Sequence, residues 1–195
     1  FGKNIALNYL IERGFDKKII DDFDIGCLTN SRDSFRTHAL KNGHSLDDLV
    51  TLGLISSKNK NDIYSSRIIF PIKTISGRTV GFGARVLENS GKSAKYINSP
   101  DSSIYNKSKI LYGLYKSKTH IVKSDNCYIV EGYTDVIRFH QKGVPNVVSS
   151  SGTALTFGQI NSIRRLTKNI TMLFDSDNAG FNATIRSIDM ILSQG

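Results

Sequence analysis

The sequence predicts an α/β protein in which a helical and antiparallel-β N-terminal part precedes a parallel βα sheet. Three observations carry this. Residues 1–57 place apolar side chains at helical spacing, punctuated by Gly14 and Gly43. Beyond a polar stretch at 58–61 the period shortens to that of strands around a Ser76-Gly77 turn signal. From Asn126 onward, short apolar runs alternate three times with helical stripes, the pattern of parallel strands joined by right-handed crossovers.

In the first part, Ala6, Tyr9 and Leu10 fall on one helical face that Gly14 stops. Ser31 is placed to cap a second helix that turns Phe35, Ala39 and Leu40 inward. Ser45 with Asp48 resembles a capping box for a third helix carrying Leu46, Leu49 and Val50. None of these residues carries chemistry, so the helices read as scaffold or partner surface. Residues 68–75 and 79–87 form a curled hairpin, with Pro71 arguing for an edge or a bulge. Arg67, Lys73 and Arg85 are expected to point outward from it. A polar loop at 88–93 leads to a short strand at 94–98. In the last part, strands at 127–130, 146–148 and 170–174 alternate with three helices. The first helix carries Tyr133, Val136, Ile137 and His140. The second opens on the capping pair Thr156 and Gln159, and the third carries Phe181, Ile185, Ile188 and Leu192.

Composition narrows the function classes. With 195 residues, 39% hydrophobic and 22% charged, the chain can bury a core as one domain or two small ones. Cys27 and Cys127, the only cysteines, support neither a disulfide scaffold nor a structural zinc site. No apolar run approaches the roughly 18–20 residues of a membrane helix, and the sequence, which starts at Phe1, does not open on a charged-then-apolar stretch. It therefore reads as an excised cytosolic segment with no membrane partner. The net charge of +9 is unevenly spread: residues 1–57 carry −1, residues 58–118 carry +9 and the remainder +1. Such a concentration attracts polyanions through phosphate neutralisation and counterion release. A solvated lysine-rich surface is the plainer alternative.

Ligands of a parallel sheet gather beyond the carboxyl ends of its strands. Glu131 directly follows the first of these strands, and Asp175 follows the third with Asp177 two residues on. Asp135 lies one helical turn past Glu131. Crowded carboxylates repel unless one is protonated or a divalent cation lies among them. An all-oxygen set favours Mg²⁺ or Mn²⁺ over zinc. Helix capping by Asp175 or Asp177 is the competing reading, although it leaves Glu131 unexplained. Three other motifs fail on context. Residues 175–180 begin like a calcium loop, but Arg186 stands where a bidentate Glu is needed. Gly91-Lys92-Ser93 lacks the earlier glycine of a phosphate-binding loop, Val86 standing there, and Gly81-Phe82-Gly83 lies inside a hairpin. His38, His44, His120 and His140 are scattered and form no triad.

Ile129-Val130-Glu131-Gly132-Tyr133-Thr134-Asp135, followed by Phe174-Asp175-Ser176-Asp177-Asn178-Ala179-Gly180, resembles the Toprim signature shared by primases, type II topoisomerases and some nucleases. The middle of the chain chooses among them. Arg67-Ile68-Ile69-Phe70-Pro71-Ile72, Gly81-Phe82-Gly83-Ala84-Arg85-Val86, Lys95-Tyr96-Ile97-Asn98-Ser99-Pro100 and Leu111-Tyr112-Gly113-Leu114-Tyr115 resemble, in order, the motifs of bacterial DnaG-type DNA primases. Ser151-Gly152-Thr153-Ala154-Leu155-Thr156 is similar to that family's loop after the second Toprim strand.

The resemblance implies an N-terminal core subdomain over 1–117, helical to 57 and basic and β-rich over 58–117. A Toprim subdomain would follow over 118–195, C-terminally incomplete because the family carries two further aspartates past Gly195. A zinc-binding module would lie upstream and a helicase-binding module downstream. The implied activity is DNA-dependent synthesis of short RNA primers on single-stranded DNA from ribonucleoside triphosphates. Glu131, Asp175 and Asp177 would be catalytic and would hold Mg²⁺ or Mn²⁺ with Asp135. Arg67, Arg85, Lys95, Asn98, Lys107, Gly152 and Thr153 would contact nucleotide, template or RNA primer, with Arg85, Lys95 and Asn98 in a basic groove facing the metal. The family implies a monomer in the bacterial cytoplasm, at replication forks in the nucleoid, meeting the replicative helicase through a region outside this chain. Ser176, Phe181 and Asn106 depart from frequent glycine, arginine and histidine. A Toprim nuclease and a nucleic-acid-binding fragment without turnover are the alternatives.

Overall fold

A computed structural model describes residues 2–87, 94–152 and 154–193. The chain divides into two compact units, Phe1–Pro71 with Gly81–Tyr105, and Ile72–Val80 with Asn106–Gly195.

In the first unit, helix α1 (Gly2–Glu12) buries Ala6 and Leu10, and Gly14, at φ +82°, ends it as expected. Helix α2 (Lys17–Asp22) and the two-residue strand β1 (Gly26–Cys27) are too short for periodicity to reveal. The Asp16 carboxylate caps α2 by accepting the Ile19 N–H at 2.7 Å. Helix α3 (Ser34–Lys41) is not capped by Ser31. Its Phe35 and Arg36 amides donate instead to the buried carboxylate of Asp62, at 2.8 and 3.0 Å. A residue 27 positions away satisfies the helix end, which no local pattern could show. Ser45 does cap helix α4 (Leu46–Thr51), and Leu49 packs with Ala39 and Ile55.

Strand β2 (Arg67–Lys73), β3 (Thr79–Val86) and β4 (Tyr96–Asn98) join β1 in the order β1-β2-β3-β4. The Arg67 carbonyl accepts the Leu28 N–H, so the odd-numbered residues of β2 turn their backbone groups toward β1. Pairing with β1 reaches only Ile69, which leaves Pro71 without a strand opposite its missing N–H. The outward placement of Arg67 and Arg85 is corrected. Both strands are internal to the sheet, and these residues are only 7% and 8% exposed.

The second unit opens with helix α5 (Leu114–Ser124), which the sequence pattern does not announce. Three parallel strands follow: β5 (Cys127–Val130), β6 (Val147–Ser149) and β7 (Ile170–Leu173). They are separated by helix α6 (Tyr133–Gln141) and helix α7 (Phe157–Arg164), and helix α8 (Asn178–Leu192) comes last. The order β6-β5-β7 puts β5 in the centre, with Val130 level with both Ser149 and Leu173. Ile121, Ile129, Val148, Leu155 and Ile163 fill the core. Thr156 and Gln159 cap α7 reciprocally, at 3.3 and 3.2 Å. On α8 the apolar stripe seen in the sequence faces outward, with Phe181 64% and Leu192 73% exposed. The opposite face, with buried Gly180 and Ser187 and the core contacts of Met190 and Ile191, packs inward. A Cβ at Gly180 would collide with the Asp175 carbonyl oxygen and stand 2.9 Å from Glu131 Oε1.

Ser117 of α5 donates its hydroxyl proton to the Val147 carbonyl at 2.7 Å, which leaves its oxygen to accept from His140 Nε2 at 3.0 Å. Burial, with His120 and Lys116 nearby, pushes His140 down from 6.5 to about 4. The unfolded chain therefore binds a proton between these values that the folded chain refuses. Stability is fully present above pH 6.5 and falls as the pH drops toward 4. The loss is at most about 3 kcal/mol, reduced by solvent screening at the half-buried ring. Urea denaturation across this range should show the loss in the unmodified chain and a flatter profile in His140→Gln. Gly180→Ala, which inside a helix ordinarily gains about 1 kcal/mol, should here cost about 1–3 kcal/mol because the added methyl overpacks the Asp175 carbonyl. A lowered urea midpoint at unchanged slope would register it.

Candidate active site

Glu131 leaves the central strand with each end of the residue engaged. Its carbonyl accepts the Ser149 hydroxyl at 2.7 Å and the Gly152 N–H at 3.3 Å. Its Oε1 accepts the Asp175 N–H at 2.9 Å. The residue thereby joins the carboxyl ends of all three strands. The loop after β6 reaches it through successive left-handed residues, Ser151 at φ 65° and Gly152 at φ 78°.

Asp177 is the N-cap of α8, its Oδ1 accepting the Gly180 N–H at 2.7 Å. Asp135 occupies the first turn of α6 and accepts the Gly132 N–H at 3.0 Å through Oδ2. Burial raises its carboxyl above the ordinary value; the Asp175 charge adds to this, while the Gly132 hydrogen bond and Arg138 oppose it. Capping therefore does account for part of what Asp177 and Asp135 do. Glu131, Gly152 and Asp177 line one cavity of about 230 Å³ together with Arg186. Sequence reasoning noticed Arg186 only as the residue that spoiled a calcium loop. Its signal was helical spacing, since Gly180, Ala183 and Arg186 recur every three residues along α8.

The donor chemistry suits a hard divalent ion, because every candidate ligand offers carboxylate oxygen. Among the described residues, however, no three His, Cys, Asp or Glu side chains stand together closely enough to cage one. Mg²⁺ commonly keeps several waters and uses one or two carboxylates with substrate phosphates. The residues present fit that kind of site rather than a closed all-protein cage.

The basic residues are distributed between the two units. In the first, Arg67 donates to the Ala94 carbonyl at 3.0 Å, and burial lowers its pKa. Arg85 lies between the rings of Tyr9 and Tyr96, at 5.1 and 5.4 Å, and donates to the Tyr96 hydroxyl at 3.3 Å. The ring faces offset the desolvation of a cation that has no carboxylate beside it among the described residues. Lys95 is exposed at the entry to β4, and the half-buried Asn98 pairs with Gly83. Lys107 belongs to the second unit, where its carbonyl accepts from Gln159 Nε2 at 3.0 Å. Thr153 lies outside the described residues. The part of Tyr9 in holding Arg85 has no signal in the sequence, because the two residues lie far apart along the chain.

The chain matches two family descriptions: the DNA primase catalytic core, N-terminal domain, over residues 2–118, and Toprim-like over residues 128–195. It is 39% identical over 194 residues to a DNA primase of Staphylococcus aureus (strain COL) and 37% identical to one of Staphylococcus epidermidis. Each match covers 97% of this chain and 32% of the relative, so the chain spans about a third of their length. Among solved structures, a DnaG catalytic core aligns with a TM-score of 0.90 at 33% identity, covering 98% of this chain and 61% of that one. The RNA polymerase domain of Mycobacterium tuberculosis primase DnaG gives 0.87 at 34%, covering 95% and 63%. A DnaG primase catalytic domain bound to ssDNA gives 0.86 at 32%, covering 95% and 60%. With the carboxylate-tipped parallel sheet and both halves of the sequence in agreement, the chain belongs to the DNA primase catalytic core family, with a Toprim fold in its second half.

Proposed function

We propose that this chain serves a DNA-dependent RNA polymerase that makes short RNA primers on single-stranded DNA from ribonucleoside triphosphates. The observation that carries the reading is the joining of Glu131 to Asp175 across adjacent parallel strands, with Asp177 on the same cavity as Glu131. Phosphoryl transfer asks a protein mainly for positioning and charge neutralisation. Glu131, Asp175 and Asp177, with Asp135 alongside, would hold Mg²⁺ or Mn²⁺. Such an ion, when bound, supplies Lewis acidity and lowers the pKa of a coordinated hydroxyl.

The remaining work falls to the chain's own side chains. Arg85 and Lys95, with Arg67, Asn98 and Lys107, are the candidates for triphosphate and backbone contacts, Gly152 and Thr153 supplying loop backbone. Arg85 is preorganised by its two rings, so little reorganisation is needed when phosphate charge arrives. Arg186 places a positive charge on the lining of the carboxylate cavity itself. Template contacts of this kind are to the backbone and largely blind to sequence. The partners of this reading are the single-stranded template, the RNA primer and, through another region of the protein, the replicative helicase. The protein would act as a monomer in the bacterial cytoplasm, at replication forks.

The test is primer synthesis by the full-length protein on labelled single-stranded DNA with ribonucleotides and Mg²⁺ or Mn²⁺. Asp175→Ala and Glu131→Gln should each lower synthesis by about 100-fold or more, and chelation should abolish it. Normal synthesis by Asp175→Ala would remove these carboxylates from the mechanism. Shortening of the DNA without ribonucleotide incorporation would identify a Toprim nuclease instead.

A further inference from the structure

A second cavity in the second unit, of about 220 Å³, shares no lining residue with the carboxylate cavity. Lys73, Lys109 and Arg165 line it with the hydroxyl residues Thr74 and Ser162, over a floor that includes Ile110. No acidic residue lines it, and neither Lys109 nor Arg165 meets a carboxylate among the described residues. Lys109 and Arg165, facing so small a space with no acidic residue in its lining, repel one another unless an anion joins them.

The frame is rigid. The hairpin tip lies against Tyr115, so closely that a Cβ on Gly77 would stand 2.7 Å from its ring. Lys73 and Lys118 lie over the same ring, at 5.8 and 5.1 Å, and Lys118 Nζ donates to the Ile75 carbonyl at 2.8 Å. On the other wall, the buried Gln159 donates to the carbonyls of Lys107 and Ile110, both at 3.0 Å, and thereby fixes the segment that carries Lys109 to α7. Arg165 follows at the end of that helix. Lys73 is thus placed over a ring, while Lys109 and Arg165 extend as exposed side chains from anchored backbone.

We infer that Lys73, Lys109 and Arg165 form a contact site for the phosphodiester backbone of a nucleic-acid strand, separate from the carboxylate cavity. The volume lies below the roughly 300–1,000 Å³ that encloses a whole small ligand. It suits one sugar-phosphate unit of a longer strand, with the apolar floor under the sugar. The inference rests on the nucleic-acid reading above and adds to it a site that none of the carboxylates, Arg85 or Lys95 takes part in.

The test measures binding of a fluorescein-labelled oligothymidylate to the 195-residue chain by anisotropy, over about 50–200 mM salt. Removing one cation that neutralises a phosphate of a single strand lowers the slope of log K against log salt by about 0.7. Lys109→Gln combined with Arg165→Gln should therefore lower it by about 1.4, whereas Lys109→Arg with Arg165→Lys should retain it. Both side chains are exposed, so the melting temperature should not move. Ultraviolet crosslinking of the same oligonucleotide to the unmodified chain gives a second measurement, with adducts expected on the peptide around residues 109–114. An unchanged slope in the glutamine pair, or adducts confined to other peptides, overturns the inference. If Arg85→Gln with Lys95→Gln lowers the slope while the Lys109–Arg165 pair does not, this site fails and the primer-synthesis reading stands. Loss of affinity for a ribonucleoside triphosphate, with oligonucleotide binding kept, overturns the strand assignment in favour of free nucleotide. Absence of any salt-dependent binding overturns the inference as well, and the Asp175 assay then judges the polymerase reading independently.

Discussion

The hydrogen bond from the Asp175 amide to the Glu131 carboxylate ties together two strand ends that are 44 residues apart in sequence. It works because β5 is central and β7 is its parallel neighbour in a register that brings Val130 level with Leu173. The same glutamate receives Ser149 and Gly152 at its carbonyl, so the β6 loop, the β5 end and the β7 turn meet at one residue. Gly180 completes the arrangement by leaving room for α8 to start against the Asp175 carbonyl. Position along a regular sheet thus becomes position of charge: the carboxylates are gathered by backbone geometry and not by attraction among themselves, which would oppose it.

The second half of the molecule is highly legible because its elements have the right length for their periods. Apolar runs at 127–130 and 170–174 can hardly be anything but strands once helical stripes intervene, and Thr156 with Gln159 announces a helix start without outside help. Glu131, Asp175 and Asp177 can then be placed at strand ends by topology. Where chain-remote contacts decide the outcome, the pattern misleads. Asp62 caps α3 from a distance and displaces Ser31 from that part. Arg67 and Arg85 look like surface cations in alternation with apolar neighbours, yet they lie inside a four-stranded sheet, where a carbonyl and two tyrosine rings receive them. Helix α5 escapes notice because its inward face includes Ser117, whose hydroxyl is spent on Val147 and His140.

Buried polar side chains here act mostly as connectors. Gln159, fully enclosed, closes a capping pair with Thr156 and also holds the 107–110 segment through two carbonyls. Each of these bonds is worth about 1 kcal/mol net, but leaving one buried partner unsatisfied costs more. That asymmetry explains why such residues set geometry more than they add stability. The acidic cavity and the lysine-lined cavity are both framed by this kind of link.

The outward stripe on α8 has a physical consequence for the chain in solution. Phe181, Ile185, Ile188 and Leu192 present a sticky surface beside β7, which ends the described sheet. A net charge of +9 keeps copies apart at low ionic strength. At about 0.15 M salt the screening length shrinks to about 8 Å, and that repulsion no longer reaches across the gap between approaching molecules. Colloidal behaviour should therefore reverse the usual salting-in: dilute buffer favours dispersal, and added electrolyte favours clumping through the helix.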